Sequence, residues 1–371
     1  MNAHRDRIIR RSFTLTELLV VIMVISILAS SLLFAMYNAV QQAKESRTQA
    51  QITKLHELLM TRWESYRTRA IRLNIAGPGR RDGRAVGRAR LLALRDLMRM
   101  ELPERKWDVL DDPVTVVIPF SYDLTNALGA TQNFNGFVNS NIARPPLSRE
   151  YQRRVANLVT PANLTNGMTA WTEDYQGAEC LYMIIASMQD ITGNGLDFFQ
   201  DTEIGDKDGD GMPEIWDAWG NPIEFLRWAP GYFASPGPDG NWGVAGVDDD
   251  SNSTVDDITE ALWSGSDDML IVSDLQKRDP QSSPDPFDPL RIFPASFALY
   301  PLIYSAGPDG LYDINVPTGL RYSQSGNAYY PNNPYYLESA PAQFPPGTPM
   351  DANGDGQLSF MDNIMNHAMG G

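Results

Sequence analysis

Three stretches of the chain space oxygen-bearing side chains so that they can wrap a metal ion. In the first, Asp206, Asp208, Asp210, Glu214 and Asp217 stand at positions 1, 3, 5, 9 and 12, with Gly211 at position 6. Alternate residues of a tight loop point inward and a glycine permits the sharp turn, so this is the spacing of a calcium loop. Asp in place of Glu at position 12 shortens the arm that would give a bidentate ligand. Asp351, Asn353, Asp355, Gln357 and Asp362 repeat the spacing around Gly356, and residues 361–368 can follow as a short helix. Asp248, Asp250 and Asn252, with Asp256 and Asp257 beyond them, form a looser copy with Ser253 where glycine is expected. Oxygen-only ligand sets favour calcium over zinc or copper. The competing reading of each stretch is a solvated acidic turn.

Other chemistry is thinly represented. The chain has three histidines, His4, His56 and His367, and they are scattered from leader to C-terminus. No nucleophile elbow, zinc helix or phosphate loop stands out, so the expectation is that this is not an enzyme. The single cysteine, Cys180, allows no intrachain disulfide and is expected to be a buried small apolar residue. Any stapling of the loops is then left to metal. A net charge of -16 argues against a nucleic-acid partner and suits a cation-binding protein outside the cytoplasm.

The charge is uneven along the chain. Residues 1–12 carry a net +3, residues 62–106 a net +8 and residues 107–371 a net -27. After the basic leader, Leu18 to Met36 contains no charge. The 24 residues from Phe13 to Met36 span roughly 36 Å as a helix, enough to cross a bilayer core. With the arginines before this run, the N-terminus stays cytoplasmic and the remainder is exported. Glu17 interrupts the start of the run, and a carboxylate there is costly in lipid unless it has a task. Beyond the apolar run, Ile52, Leu55, Leu59, Trp63 and Tyr66 recur in steps of three and four. They predict one helix of roughly 55–60 residues, ending near Gly77-Pro78-Gly79, with its outer half packed on a globular head.

A second helix is predicted over residues 84–100, where the arginines read as a solvated face or as a surface for an anionic partner. Another helix is expected around residues 179–188. Short β-type runs at 114–118, 225–228, 269–272 and 298–304 alternate with Gly/Pro/Asp turns. The fold class is therefore α+β: a long N-terminal helix on a mainly antiparallel sheet with long calcium loops. Residues 313–350, rich in Tyr, Pro and Asn, read as an irregular strap. The expected organisation is leader 1–12, transmembrane segment 13–36, outer half-helix 37–75, basic neck 76–106 and acidic head 107–371.

The segment Arg10-Arg11-Ser12-Phe13-Thr14-Leu15-Thr16-Glu17 resembles the prepilin signature of type IV pilins and type II secretion pseudopilins. The resemblance implies cleavage by a prepilin peptidase between Ser12 and Phe13 and methylation of the new amine on Phe13. It further implies that Glu17, fifth in the processed chain, pairs with the N-terminal amine of a neighbouring subunit. In this family the subunits gather at an inner-membrane assembly platform and enter a pilus or pseudopilus. Ser12 departs from the usual glycine. In the head, Asp217-Ala-Trp219-Gly220-Asn221-Pro222-Ile223 is similar to a segment of major pseudopilins, with Ile223 in place of the usual tyrosine. Ser235-Pro-Gly237-Pro-Asp239-Gly240, with Asp257 beyond it, is similar to their calcium loop, and Ser305-Ala-Gly307-Pro-Asp309-Gly310 repeats it. The alternatives are an exported calcium-binding protein or adhesin with a conventional or twin-arginine signal, and a plain uncleaved anchor.

Overall fold

The computed structural model describes residues 15–73, 78–125, 129–140, 142–190, 193–229, 233–235, 244–247, 269–271, 284–294, 296, 298–314, 316, 347 and 362–367. The chain divides into two units, residues 1–46 and 47–371. Helix α1 (Leu15–Ser65) supplies the described part of the first and the opening of the second. α1 is long and apolar enough to cross a membrane. Its large apolar side chains, from Leu18 to Val40, are exposed.

In the second unit the predicted stripe is the core. Ile52, Leu55, Leu59 and Tyr66 are 0% exposed, and Trp63 meets Phe287 edge-on at 5.3 Å. The helix stops earlier than the sequence suggests, at Ser65, and a 3-10 turn covers Tyr66–Thr68. The cause is a grip on Glu101. The Tyr66 hydroxyl donates to one of its oxygens at 2.8 Å and Arg69 donates to the other at 2.8 Å. Once both side chains are committed to Glu101, the backbone turns extended at Arg69.

Helix α2 (Gly83–Glu101) matches expectation and is capped by Asp82, whose carboxylate accepts from the amides of Arg84 and Ala85. Its basic face does not. Arg84 and Arg88 are exposed, but Arg95 is buried on Asp285 at 2.6 Å, and Arg99 is buried on Asp96 at 2.9 Å. The solvated-face reading therefore holds for the first half of α2 and fails for the second. Residues after α3 (Lys106–Leu110) form a hairpin of β1 (Val116–Thr125) and β2 (Thr131–Ser140), paired from Val116 to Ser140 through to Thr125 with Thr131. Ile118, Phe120 and Val138 lay this hairpin on Ala85 and Ala89 of α2. The strand begins two residues later than the sequence run and extends further.

Helices α4 (Pro146–Ala156) and α5 (Leu164–Ala170) lead into α6 (Gln176–Ala186). Cys180, Leu181, Met183, Ile184 and Ile185 of α6 are fully buried in the same cluster as the α1 stripe. Short pairs follow: β3 (Gln189–Asp190) with β4 (Gly193–Asn194), and β5 (Ile204–Gly205) with β6 (Glu214–Ile215). β7 (Glu224–Ala229) comes next, and β8 (Phe233–Ser235) pairs with β9 (Met269–Ile271). The three-stranded sheet is antiparallel, ordered β11 (Ile364–Met365), β10 (Tyr300–Ser305), β7. The segment 361–368, expected as a short helix, instead has strand β11 at its centre. Met365 is buried against Leu226 and Leu302, and Asn366 bonds the backbone of Ile303 and Pro301. The class is α+β, as expected. Most of the 313–350 strap lies outside the described residues.

Candidate metal centre

The first acidic loop is the connection between β5 and β6. Glycines with positive φ at Gly209 (80°) and Gly211 (96°) turn it, a conformation that suits residues without a Cβ. Asp206 organises the turn: one oxygen accepts from Gly209 N at 2.7 Å and the other from Gly211 N at 3.0 Å. Asp208 accepts from Asp210 N and from the Thr172 hydroxyl, and Asp210 accepts from Met212 N and from Thr172 N. Glu214, fully buried at the start of β6, accepts from Lys207 N and from Trp216 Nε1 at 3.1 Å.

Two groups of carboxylates result. Asp206, Asp208 and Glu214 offer oxygens within 4.8 Å of one another, and so do Glu179, Asp208 and Asp210. Either group could hold a metal ion. The crowding shows in the acidities. Burial first, then the charges of Asp208 and Asp206, push Glu214 up to about 7 against the bonds from Trp216 and Lys207. Burial pushes Glu179 up to about 10, aided by Asp210, Asp208 and Glu214 and opposed by Trp171. Asp210 is raised as well, chiefly by burial.

Asp217, at position 12, joins neither group. One of its oxygens accepts from Trp219 N and Asn221 N, both at 2.8 Å, and the other accepts from the Ser305 hydroxyl at 2.6 Å. It builds the turn of the Trp-Gly-Asn-Pro segment and ties it to the Ser-Ala-Gly-Pro-Asp-Gly segment, where Asn221 Nδ2 also reaches Gly307 O. The 217–223 and 305–310 segments are thus neighbours in space. Asp362 sits beside Asp309 and is pushed up to about 6, first by burial and then by that charge. Asp239, Asp248, Asp250, Asn252, Asp257, Asp351, Asn353, Asp355 and Gln357 lie outside the described residues. So do Ser12, Phe13 and the side chain of Glu17, whose backbone is in the first turn of α1.

Glu179 and Thr172 are the site residues that the spacing rule misses. A loop template looks only along the loop, whereas these two come from α6 and from the turn before it. One signal did exist: Glu179 is a lone carboxylate heading the apolar run Cys180-Leu181-Tyr182-Met183-Ile184-Ile185.

Residues 9–33 match the family described as the prokaryotic N-terminal methylation motif, the prepilin-type signal of type IV pilins and pseudopilins. The match supports a processed subunit of that kind, a class of structural subunits, and it implies a prepilin peptidase. With the apolar first part of α1, it supports membrane anchoring. No curated protein and no solved structure matches the chain.

Proposed function

We propose that this chain is a pilin or pseudopilin subunit, cut between Ser12 and Phe13, methylated on Phe13 and assembled into a filament. One observation carries the reading: the methylation motif at residues 9–33 continues into a helix whose apolar surface is exposed from Leu18 to Val40. Apolar side chains at that density need lipid or neighbouring helices around them. The basic leader keeps the N-terminus cytoplasmic and the acidic head outside. Other subunits of the filament, an inner-membrane platform and the peptidase are the partners. Glu17 is the residue that pairs with the Phe13 amine of a neighbour, since an ammonium and a carboxylate at the membrane must meet or neutralise.

The head is a calcium-stabilised unit in this reading. Its support is the paired carboxylate groups at 206–214 and a composition that offers no disulfide. Binding a cation to the folded state alone raises stability by about 2.7 kcal/mol at a hundredfold excess over the dissociation constant. The experiment for the whole reading is intact-mass and N-terminal analysis of the chain from its native membrane. A chain starting at methylated Phe13 supports it. A chain starting at Met1, or beyond about residue 30 as ordinary signal cleavage produces, refutes it and leaves an exported calcium-binding protein.

A further inference from the structure

Helix α6 is apolar through its buried centre except for Glu179, which is 0% exposed. A carboxylate removed from water is costly unless its oxygens are bonded or its charge is matched. One oxygen accepts from Trp171 Nε1. The other, Oε1, has no hydrogen-bond partner. Among the described residues no ion pair reaches Glu179, Asp206, Asp208, Asp210 or Glu214. The Glu179 carboxylate faces Asp208 and Asp210, with oxygens of the three within 4.8 Å of one another. Like charges brought this close out of water repel strongly unless a cation lies among them.

We infer that α6 supplies Glu179 as a ligand to a hard divalent cation, calcium by its oxygen ligands, held by the 206–214 loop. This rests on the reading of the loop as a metal site and adds a ligand from outside it. Oxygens of Glu179, Asp208 and Asp210 no more than 4.8 Å from one another are close enough for small side-chain adjustments to bring them to one ion at the calcium–oxygen distance of about 2.4 Å. The loop also needs such a ligand. Its position-12 carboxylate, Asp217, is committed to Ser305, Trp219 and Asn221. Glu179 restores the missing long-armed acid from another element. Because α6 lies in the same buried cluster as Ile52, Leu55 and Leu59 of α1, the ion ties the loop to the core of the head and does more than close the loop on itself.

The test is a titration of calcium chloride into the full chain in detergent after chelation, read by calorimetry. Melting temperatures are taken in chelator and in excess calcium, for the wild type, Glu179→Gln and Asp206→Asn. Glutamine keeps the size of the side chain and an oxygen for Trp171 Nε1 and adds no charge to the cluster, so E179Q should melt at or above the wild type in chelator. The expected result is binding by the wild type, with affinity at least about tenfold weaker in E179Q and most of the calcium-induced rise in melting temperature lost. Wild-type affinity in E179Q, alongside weakened binding in D206N, overturns Glu179 as a ligand and leaves the loop reading standing. No binding by the wild type overturns both. If E179Q does not fold, Glu179→Asp keeps the charge but withdraws the oxygen. Reduced affinity there supports the inference, and unchanged affinity overturns it.

Discussion

Arg227, on β7, is a buried cation of the head with several partners. It is 0% exposed, with Nη1 at 3.0 Å from Asp108 and Nη2 at 3.2 Å from Glu104. Nη1 also donates to Leu102 O at 2.8 Å, and the guanidinium lies over the Trp228 ring at 4.3 Å. The arginine thus joins the sheet to the α2–α3 corner. Arg227→Met keeps the stem and removes the charge, leaving two buried carboxylates short of a partner. Breaking a buried pair from one side costs about 3–5 kcal/mol. The lower part of that range applies, because Arg105 still lies 3.5 Å from Glu104 and Arg99 still acts on Asp108. A loss of about 3 kcal/mol lowers the melting midpoint by about 5 °C in a unit of roughly 300 residues.

The loss has a pH signature. Asp108 is held below the ordinary carboxylate range: burial would raise it, but Arg227, Arg105 and Arg99 outweigh burial. A depressed carboxylate contributes stability that is present above its unfolded value, 3.8, and is lost as pH falls through the folded value. Without Arg227 the carboxylates take up protons more readily, so the deficit of the variant is largest at neutral pH and shrinks on acidification. Thermal unfolding in detergent at pH 7 and at pH 4.5 measures both. A deficit of less than about 1 kcal/mol, the range of an exposed pair, or one that does not change with pH, refutes the assignment.

Two further outcomes are expected. A Cβ on Gly205 meets the Trp216 ring, so Gly205→Ala should cost about 1–3 kcal/mol. It should also weaken calcium binding, because Trp216 Nε1 holds Glu214; thermal melts with calorimetry check both effects. Glu224 is pushed up to about 8, chiefly by burial, against amide bonds from Ala178 and Phe225. The folded state then binds a proton that the unfolded state has released, so stability is full below 4.5 and falls as pH rises toward 8. Melting temperatures in chelator from pH 5 to 9 should fall less steeply in Glu224→Gln than in the wild type.

Local periodicity made much of the fold legible. The α1 stripe, α2, α6, and the centres of β7, β9 and β10 follow from apolar spacing that operates within a few residues. What the sequence hid depends on partners far along the chain. Arg95 is buried because Asp285 waits 190 residues away, and Asp217 stands apart from the carboxylate groups of the acidic loop because Ser305 stands 88 residues away. The end of α1 is set by Glu101, and the fate of residues 364–365 by the edge of β10. Strand β2, Thr-Gln-Asn-Phe-Asn-Gly-Phe-Val-Asn-Ser, is polar enough to read as loop. It is a strand because Val138 covers α2 beside Phe120.

The placement of the acidic loop bears on assembly. Its stem rests on the outer part of α1: Ala218 N donates to Thr48 Oγ1 at 3.1 Å, and Gln51 Nε2 donates to Trp216 O at 3.3 Å. Arg47 bonds Glu203, just before β5, at 2.7 Å. Thr48 and Gln51 are buried in these contacts. The loop's four carboxylates, Asp206, Asp208, Asp210 and Glu214, repel one another, and self-repulsion acts against the turn. On the proposed function, a cation that orders the loop also orders the stem that grips α1 between residues 47 and 51. Those residues follow the exposed apolar stretch that ends at Val40. Calcium would then act on the stem's contacts with residues 47–51, and a head loosened by chelation would be loosened at those contacts first. Hydrogen exchange on the full chain in detergent reads this directly. Chelation should speed exchange at 203–218 before it speeds exchange in the β7–β10 sheet, and uniform acceleration across the head would contradict it.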